Sequence, residues 1–385
     1  MDMVQSGVLP NPEHPTHTRA PSRTLIRPVE PGDLDAVAKL VGETLRACEP
    51  GSEASLAEFL RRTLFEQPWA DPEIPSLVAD EDGDIVGFIG AEIRRLRLGD
   101  RAMRFAWAAH SVVSPAARAR AVGFALTQRL LDGPQDATLG DSASPLVEQM
   151  WLRLGARRLE LKGIHWVRVF RPASVAARLL DPRRARVRAG TRRLAGWLDD
   201  LTVAVGRAAI APRPATAAEE ELTPSAMLDA MPPLGRRLGL HPHYDEAFLT
   251  WLFDELPRAK DRGQLVARLV RDARGRPLGW YVYFLRRGWR SEVLQVAAGG
   301  ERALRTVFDQ LLTHAYAHGS AAVRGRLEPG MLGVVAERRC LLWHRGATVA
   351  HSSDPDVLDT IERPDALVSR LDGDPWVDTL VDARR

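Results

Sequence analysis

The chain has 385 residues, enough for two or three domains. It is 45% hydrophobic and 27% charged, which excludes wholesale disorder, a collagenous repeat and a disulfide scaffold. Fifty-three Lys and Arg against fifty Asp and Glu leave a formal charge of +3, too small a balance to argue for a nucleic-acid partner. Nearly all the cations are Arg, the only lysines being Lys39, Lys162 and Lys260. No apolar run approaches the ~20 residues of a membrane span. Cys48 and Cys340 are the only cysteines, far apart and without ligand spacing, so a reducing, cytoplasmic setting is expected.

The first 23 residues carry Pro, Ser and His without a charged region followed by an apolar run, and read as a loose tail rather than a secretory signal. Thr24-Leu-Ile-Arg-Pro-Val then reads as a strand. Behind it Leu34, Val37, Leu40, Val41 and Leu45 recur at helical spacing, with Asp33 placed to cap the helix. Leu56, Phe59, Leu60 and Leu64 mark a second helix. The period then changes to that of a three-stranded meander: residues 76–80, a turn at Glu81-Asp-Gly, residues 85–93, a turn at Gly99-Asp100, and residues 103–113. Pro115 ends the third strand. A helix over about 122–131, a strand at 137–140 and a helix behind Ser144-Pro145 follow, Pro being well suited to a first helical turn. A strand at 163–170 closes this half.

Between 173 and 213 the composition shifts. Arg183, Arg184, Arg186, Arg188, Arg192 and Arg193 crowd one stretch without an acidic residue, which reads as a basic helical connector. Its plainest role is a solvated face. An acidic partner docking on Arg183 to Arg193 comes next, and nucleic acid last, since no stacking aromatics interleave with the arginines.

An internal repeat organises the whole. Leu77-Val78-x-Asp80-x-x-Gly83-x-x-x-Gly87-Phe88 recurs 192 residues later as Leu269-Val270-x-Asp272-x-x-Gly275-x-x-x-Gly279-Trp280. Both copies precede another strand and then a helix, 291–296 and 301–317 in the second. Duplication of one mixed α/β module follows, with halves at 24–172 and 214–385.

The chemistry is concentrated after the third strand of the first copy, in Ser111-Val-Val-Ser-Pro-Ala-Ala-Arg118-Ala-Arg-Ala121-Val-Gly123. Small residues where a strand meets a helix let main-chain N–H groups converge, and a helix N-terminus adds about half a positive charge, so the place suits a pyrophosphate. Arg118 or Arg120 would complete the cradle.

On these residues the segment 24–172 resembles the GNAT superfamily of acyl-CoA-dependent N-acyltransferases. Val113-x-Pro115-x-x-Arg118-x-x-Ala121-x-Gly123-x-x-Leu126 is similar to its coenzyme loop, with Ala121 where the first loop Gly usually stands. Arg120-x-x-Gly123-x-Ala125 is an alternative register. The helix from Ser144 to Gly155 resembles the family's fourth helix.

The resemblance implies a mixed, mostly antiparallel sheet flanked by helices in each module. It implies acetyl-CoA as co-substrate without a metal, and transfer to a primary amine of a small molecule or protein. Ser111, Val112 and Val113 would contact the pantetheine. Arg118, Ala119, Arg120, Ala121, Val122 and Gly123 would hold the pyrophosphate, and Ser144 would stand where many members have Asn.

For acid–base work the third strand offers only His110, while Asp141 and Glu148 lie near the expected cleft. The fourth-helix position that often carries a Tyr acid is Trp151, and all four tyrosines fall in the second copy. There the loop reads Val296-Ala-Ala-Gly-Gly-Glu301, which places a carboxylate where a cation is wanted. The second module is therefore a degenerate copy, expected to cover the first and help shape an acceptor pocket. His241-Pro-His243 has too few ligands for a metal. A non-catalytic acyl-CoA sensor and an aminoacyl-tRNA-dependent transferase are the alternatives.

Overall fold

The computed structural model describes residues 24–45, 53–179 and 211–373. The expected tail at 1–23 and the basic run at 183–193 lie outside the described residues. Among those described, no helix is long and apolar enough to cross a membrane.

The leading half opens with β1 (Thr24–Pro28), antiparallel to β2 (Leu77–Glu81). Arg27 holds them together, its guanidinium reaching Asp33 at 2.7 Å and Asp80 at 2.9 Å. Asp33 sits inside a 3-10 turn rather than capping from outside it, and its carboxylate accepts from the Glu30 amide. Helix α1 (Leu34–Leu45) buries Leu34, Val37, Ala38, Leu40 and Val41, and α2 (Glu53–Leu64) buries Leu56, Ala57, Leu60 and Leu64. These two stripes join Val78, Phe88 and Val112 in one core.

The meander forms as its periodicity predicts: β2, β3 (Asp84–Leu98) and β4 (Arg101–Val113) are successive antiparallel neighbours. Helix α3 (Val122–Leu131) then crosses back, so that β5 (Ala137–Ala143) runs parallel to β4. Helix α4 (Pro145–Arg153), β6 (Arg157–Arg158), β7 (Ile164–Val169) and α5 (Pro172–Leu179) follow.

The trailing half repeats the plan. After β8 (Ala218–Glu221), α6 (Pro224–Gly235), β9 (Leu240–Pro242) and α7 (Glu246–Glu255) come β10 (Gln264–Arg271), β11 (Pro277–Leu285) and β12 (Arg290–Ala298). These three are antiparallel neighbours, and α8 (Glu301–Ala317) leads to β13 (Ala322–Arg326), parallel to β12. In both hairpins the repeated Asp side chain accepts main-chain amides of the turn and the repeated Gly takes a positive φ. Asp80 accepts the Gly83 amide at 2.8 Å with Gly83 at φ +95°, and the Asp272 side chain accepts from Arg274 and Arg276 with Gly275 at φ +77°. Helix α9 (Leu332–Glu337), β14 (Leu341–His344), β15 (Ala347–His351) and α10 (Pro355–Ile361) complete the described elements.

The sheets do not follow the chain halves. The first has the order β1-β2-β3-β4-β5-β15-β6, with β9 also paired to β3; the second has the order β14-β7-β13-β12-β11-β10-β8. The strand that was expected to close the first half, β7, thus pairs with β13 and β14 in the second sheet, while β15 from the trailing half takes the free edge of β5. The division at 172 and 214 separates chain segments, not sheets. Packing accounts for the place of β7: Trp166 is fully buried in the second sheet's core, and Gly325 makes room for its ring, which a Cβ there would meet at 2.7 Å.

Candidate active site in the fork between β4 and β5

Strands β4 and β5 pair only where Phe105, Ala106 and Trp107 face Ala137, Thr138 and Leu139. Beyond that point they separate, and among the described residues the β4 edge from Ala108 to Val113 has no strand beside it on that side. Where they part, the β3–β4 register slips, Phe88 pairing with Val112 and Gly90 with Ala109. His110 and Ser111 form the resulting bulge, with His110 at φ +50°. A fork results, lined on one side by main-chain groups no ladder uses.

The loop above it has the shape a diphosphate needs. Residues 115–120 make a 3-10 turn, Ala121 adopts the left-handed conformation at φ +57°, and α3 begins at Val122 with no side-chain cap. That conformation explains why glycine is favoured at this position; Ala121 adopts it despite its Cβ. The amides of Val122, Gly123 and Phe124 find no backbone acceptor among the described residues. These orphan donors are where a helix meets an anion. A Cβ on Gly123 would lie 3.3 Å from Val113 Cγ2, so the glycine keeps the loop close to the strand.

The two arginines differ. Arg118 is exposed, donates from Nε to the Val113 carbonyl at 3.3 Å, and has no carboxylate partner among the described residues. Arg120 is held by Glu81 at 3.0 Å. The register with Arg118 as the phosphate-facing cation therefore fits better. Small side chains, uncapped amides and an available guanidinium suit the diphosphate of an acyl-CoA.

The groups proposed for proton transfer are placed otherwise than a catalytic pair would be. Burial pushes the His110 imidazole down to about 4, and its Nε2 has no hydrogen-bond partner among the described residues. Asp141 packs against Arg326, which reaches it at 2.7 Å, and Thr348, which donates at 3.1 Å; the surrounding cations of Arg326 and Lys162 outweigh desolvation and keep it ionised. Glu148 is tied to Arg158. Ser144 accepts the Val147 amide at 3.4 Å as the cap of α4. Trp151 is 2% exposed and lies over Gly140, where a Cβ would meet its ring at 3.2 Å, so it is core packing rather than a proton donor.

The sequence reading missed a buried polar layer between the two sheets. Arg94, 1% exposed, bonds Glu92 at 2.6 Å and Gln67 at 3.1 Å, and its guanidinium lies over the Phe248 ring. Desolvation raises the Glu92 carboxyl above its ordinary value. Across from it Tyr244 donates to Asp372, and Gln295 bonds Ser369 at 2.9 Å and Asp372 at 3.1 Å. Two charges two apart in a strand of a meander were the available signal, since strand alternation puts Glu92 and Arg94 on one face.

Residues 39–136 match the family model described as the acetyltransferase (GNAT) family. No curated protein matches the sequence. Among solved structures, a GCN5-related N-acetyltransferase from Kribbella flavida is similar at TM-score 0.54 and 15% identity, over 87% of this chain and 72% of that one. A GCN5-related N-acetyltransferase from Anabaena variabilis gives 0.56 and 10%, over 86% and 74%. Saccharomyces cerevisiae N-myristoyltransferase with bound myristoyl-CoA gives 0.50 and 12%, over 91% and 89%. At these identities the likenesses establish the fold. The segment that matches the family model takes in β4 and the loop above the fork and stops where β5 begins, and the chain has a fold of two mixed sheets similar to that of GNAT-type N-acetyltransferases.

Proposed function

We propose that this chain transfers an acetyl group from acetyl-CoA to a primary amine, with the coenzyme held in the fork between β4 and β5. The observation that carries the reading is the loop from Arg118 to Gly123, which offers uncapped helix amides and a guanidinium without a carboxylate partner, beside a strand edge that no strand pairs among the described residues. The amides and Arg118 would hold the diphosphate, and the β4 edge would orient the pantetheine arm toward the branch point at Trp107.

In the transfer the amine nitrogen forms a bond to the thioester carbonyl carbon, the carbon–sulfur bond breaks, the sulfur leaves with the electron pair, and the proton that the nitrogen loses passes, directly or through solvent, to the leaving thiolate. A general base works best with a pKa near the operating pH. His110 at about 4 is a weak base at neutral pH, and Asp141 and Glu148 are committed to arginines. Positioning in the fork therefore carries the rate acceleration.

That same commitment favours a second reading, an acyl-CoA-binding protein without turnover. The two readings separate on free-thiol release in the presence of an amine panel, which only the enzyme shows. Both fail together if Gly123→Glu, which crowds Val113 and adds a like charge beside the diphosphate, leaves calorimetric coenzyme affinity unchanged. The reading expects a loss of at least about 100-fold, some 3 kcal/mol.

A further inference from the structure

The second sheet contains a fork of the same construction. Strands β12 and β13 pair only where Arg290, Ser291 and Glu292 face Ala322, Val323 and Arg324, and then part. A register slip between Val282 and Tyr283 on β11 bulges β12 at Leu294, much as β4 bulges at His110. By the repeat, this is the counterpart of the coenzyme fork.

It is not empty. The Leu371 amide donates to the Leu294 carbonyl at 3.1 Å, so the segment 367–372 lies along the β12 edge that β13 leaves. From the other side, Arg326 of β13 donates to the Val368 carbonyl at 2.8 Å, and Lys162 reaches the same oxygen at 2.9 Å. Arg370 pairs with Glu292 at the branch point, where Arg324 also reaches Glu292 at 3.2 Å. These cations hold the Glu292 carboxyl well below its ordinary range. Gln295 ties down Ser369 and Asp372. Val368 and Leu371 are fully buried, and Ser369 and Asp372 are 1% exposed.

What space remains is a recess of about 10 Å³, lined by Gln295, Arg326, Ser369 and Arg370 among others. That is room for about one water molecule. The loop above agrees: Gly299 gives its carbonyl to Arg237 at 2.8 Å, and Glu301 sits in the first turn of α8. The segment also reaches the first fork, because a Cβ on Gly373 would lie 3.0 Å from Trp107 Nε1 and 3.1 Å from Asp141 Oδ2.

We infer that residues 367–372 are a built-in strap that fills the second fork in place of a coenzyme, so that each chain binds one acyl-CoA, in the first fork only. The inference rests on the proposed function for the first fork, and two measurements on the full chain keep them apart. Calorimetric titration with coenzyme A should give one site per chain; two sites would overturn the strap. Hydrogen exchange should show the Leu371 amide as protected as the amides of β12, unchanged at saturating coenzyme A. Fast exchange there, or loss of protection on adding coenzyme, overturns the strap as well. Absence of any binding would overturn the proposed function instead, leaving Leu371 exchange to decide the strap by itself.

Discussion

The two forks are the same piece of topology with opposite fates. Each opens where a parallel pair ends after three residues, and each lies beside a bulge on the central strand. In the first, a 3-10 turn and a left-handed Ala121 bring α3 in with its amides uncapped, and among the described residues no strand pairs the β4 edge beyond Trp107. In the second, the chain's own segment 367–372 takes the edge, and a carboxylate stands in the first helical turn. Strand divergence alone therefore does not make a binding site. An exposed edge must be paired, covered or used, and these two halves take different choices.

The largest expected effect comes from cutting the link between the forks. Arg326, on β13, reaches Asp141, on β5, and Glu328; Arg326 and Glu328 are buried and Asp141 is mostly so. Arg326→Leu strands carboxylates without their cation and should cost about 3–5 kcal/mol. Because that arginine bridges the sheets, chemical denaturation should show both halves losing stability together; a loss confined to one would separate them. Gly123→Glu comes next, with its coenzyme affinity lowered about 100-fold and its unfolding midpoint close to that of the parent.

The third test concerns the bulge at His110. Its imidazole is held neutral by burial, with a pKa of about 4 against the usual 6.5. The unfolded chain therefore takes up a proton that the folded chain refuses, and stability present above pH 6.5 is lost as pH falls toward 4. The shift corresponds to about 3 kcal/mol. His110→Asn, which tolerates a positive φ, should flatten that part of the stability profile. Identical profiles for parent and variant would show that His110 does not titrate as its burial requires. The smallest effect is expected at the second fork: Glu301→Gln removes the repelling charge yet leaves coenzyme stoichiometry unchanged, since the strap remains.

Much of this was legible in the sequence, for local reasons. The Asp and Gly of the repeated hairpin announce two turns in which the Asp side chain accepts main-chain amides, that of Gly83 in the first and those of Arg274 and Arg276 in the second, and the junction of Pro115, Arg118 and Gly123 marks the strand-to-helix loop. What could not be read is which edge a short strand joins. The alternation in β7 and β15 specifies a strand but not its partner, so their exchange between sheets follows from packing of Trp166 against Gly325 and from the free edge of β5. The strap escaped for the same reason. Leu367, Val368 and Leu371 look like ordinary core residues until the fork that receives them is in place.

The most direct test of the central claim is hydrogen exchange on the full chain with and without coenzyme A, read at both loops. The account predicts slowed exchange for the amides of residues 118–124 and no change for residues 298–304. Unchanged exchange at 118–124, or protection that appears at 298–304, would contradict it.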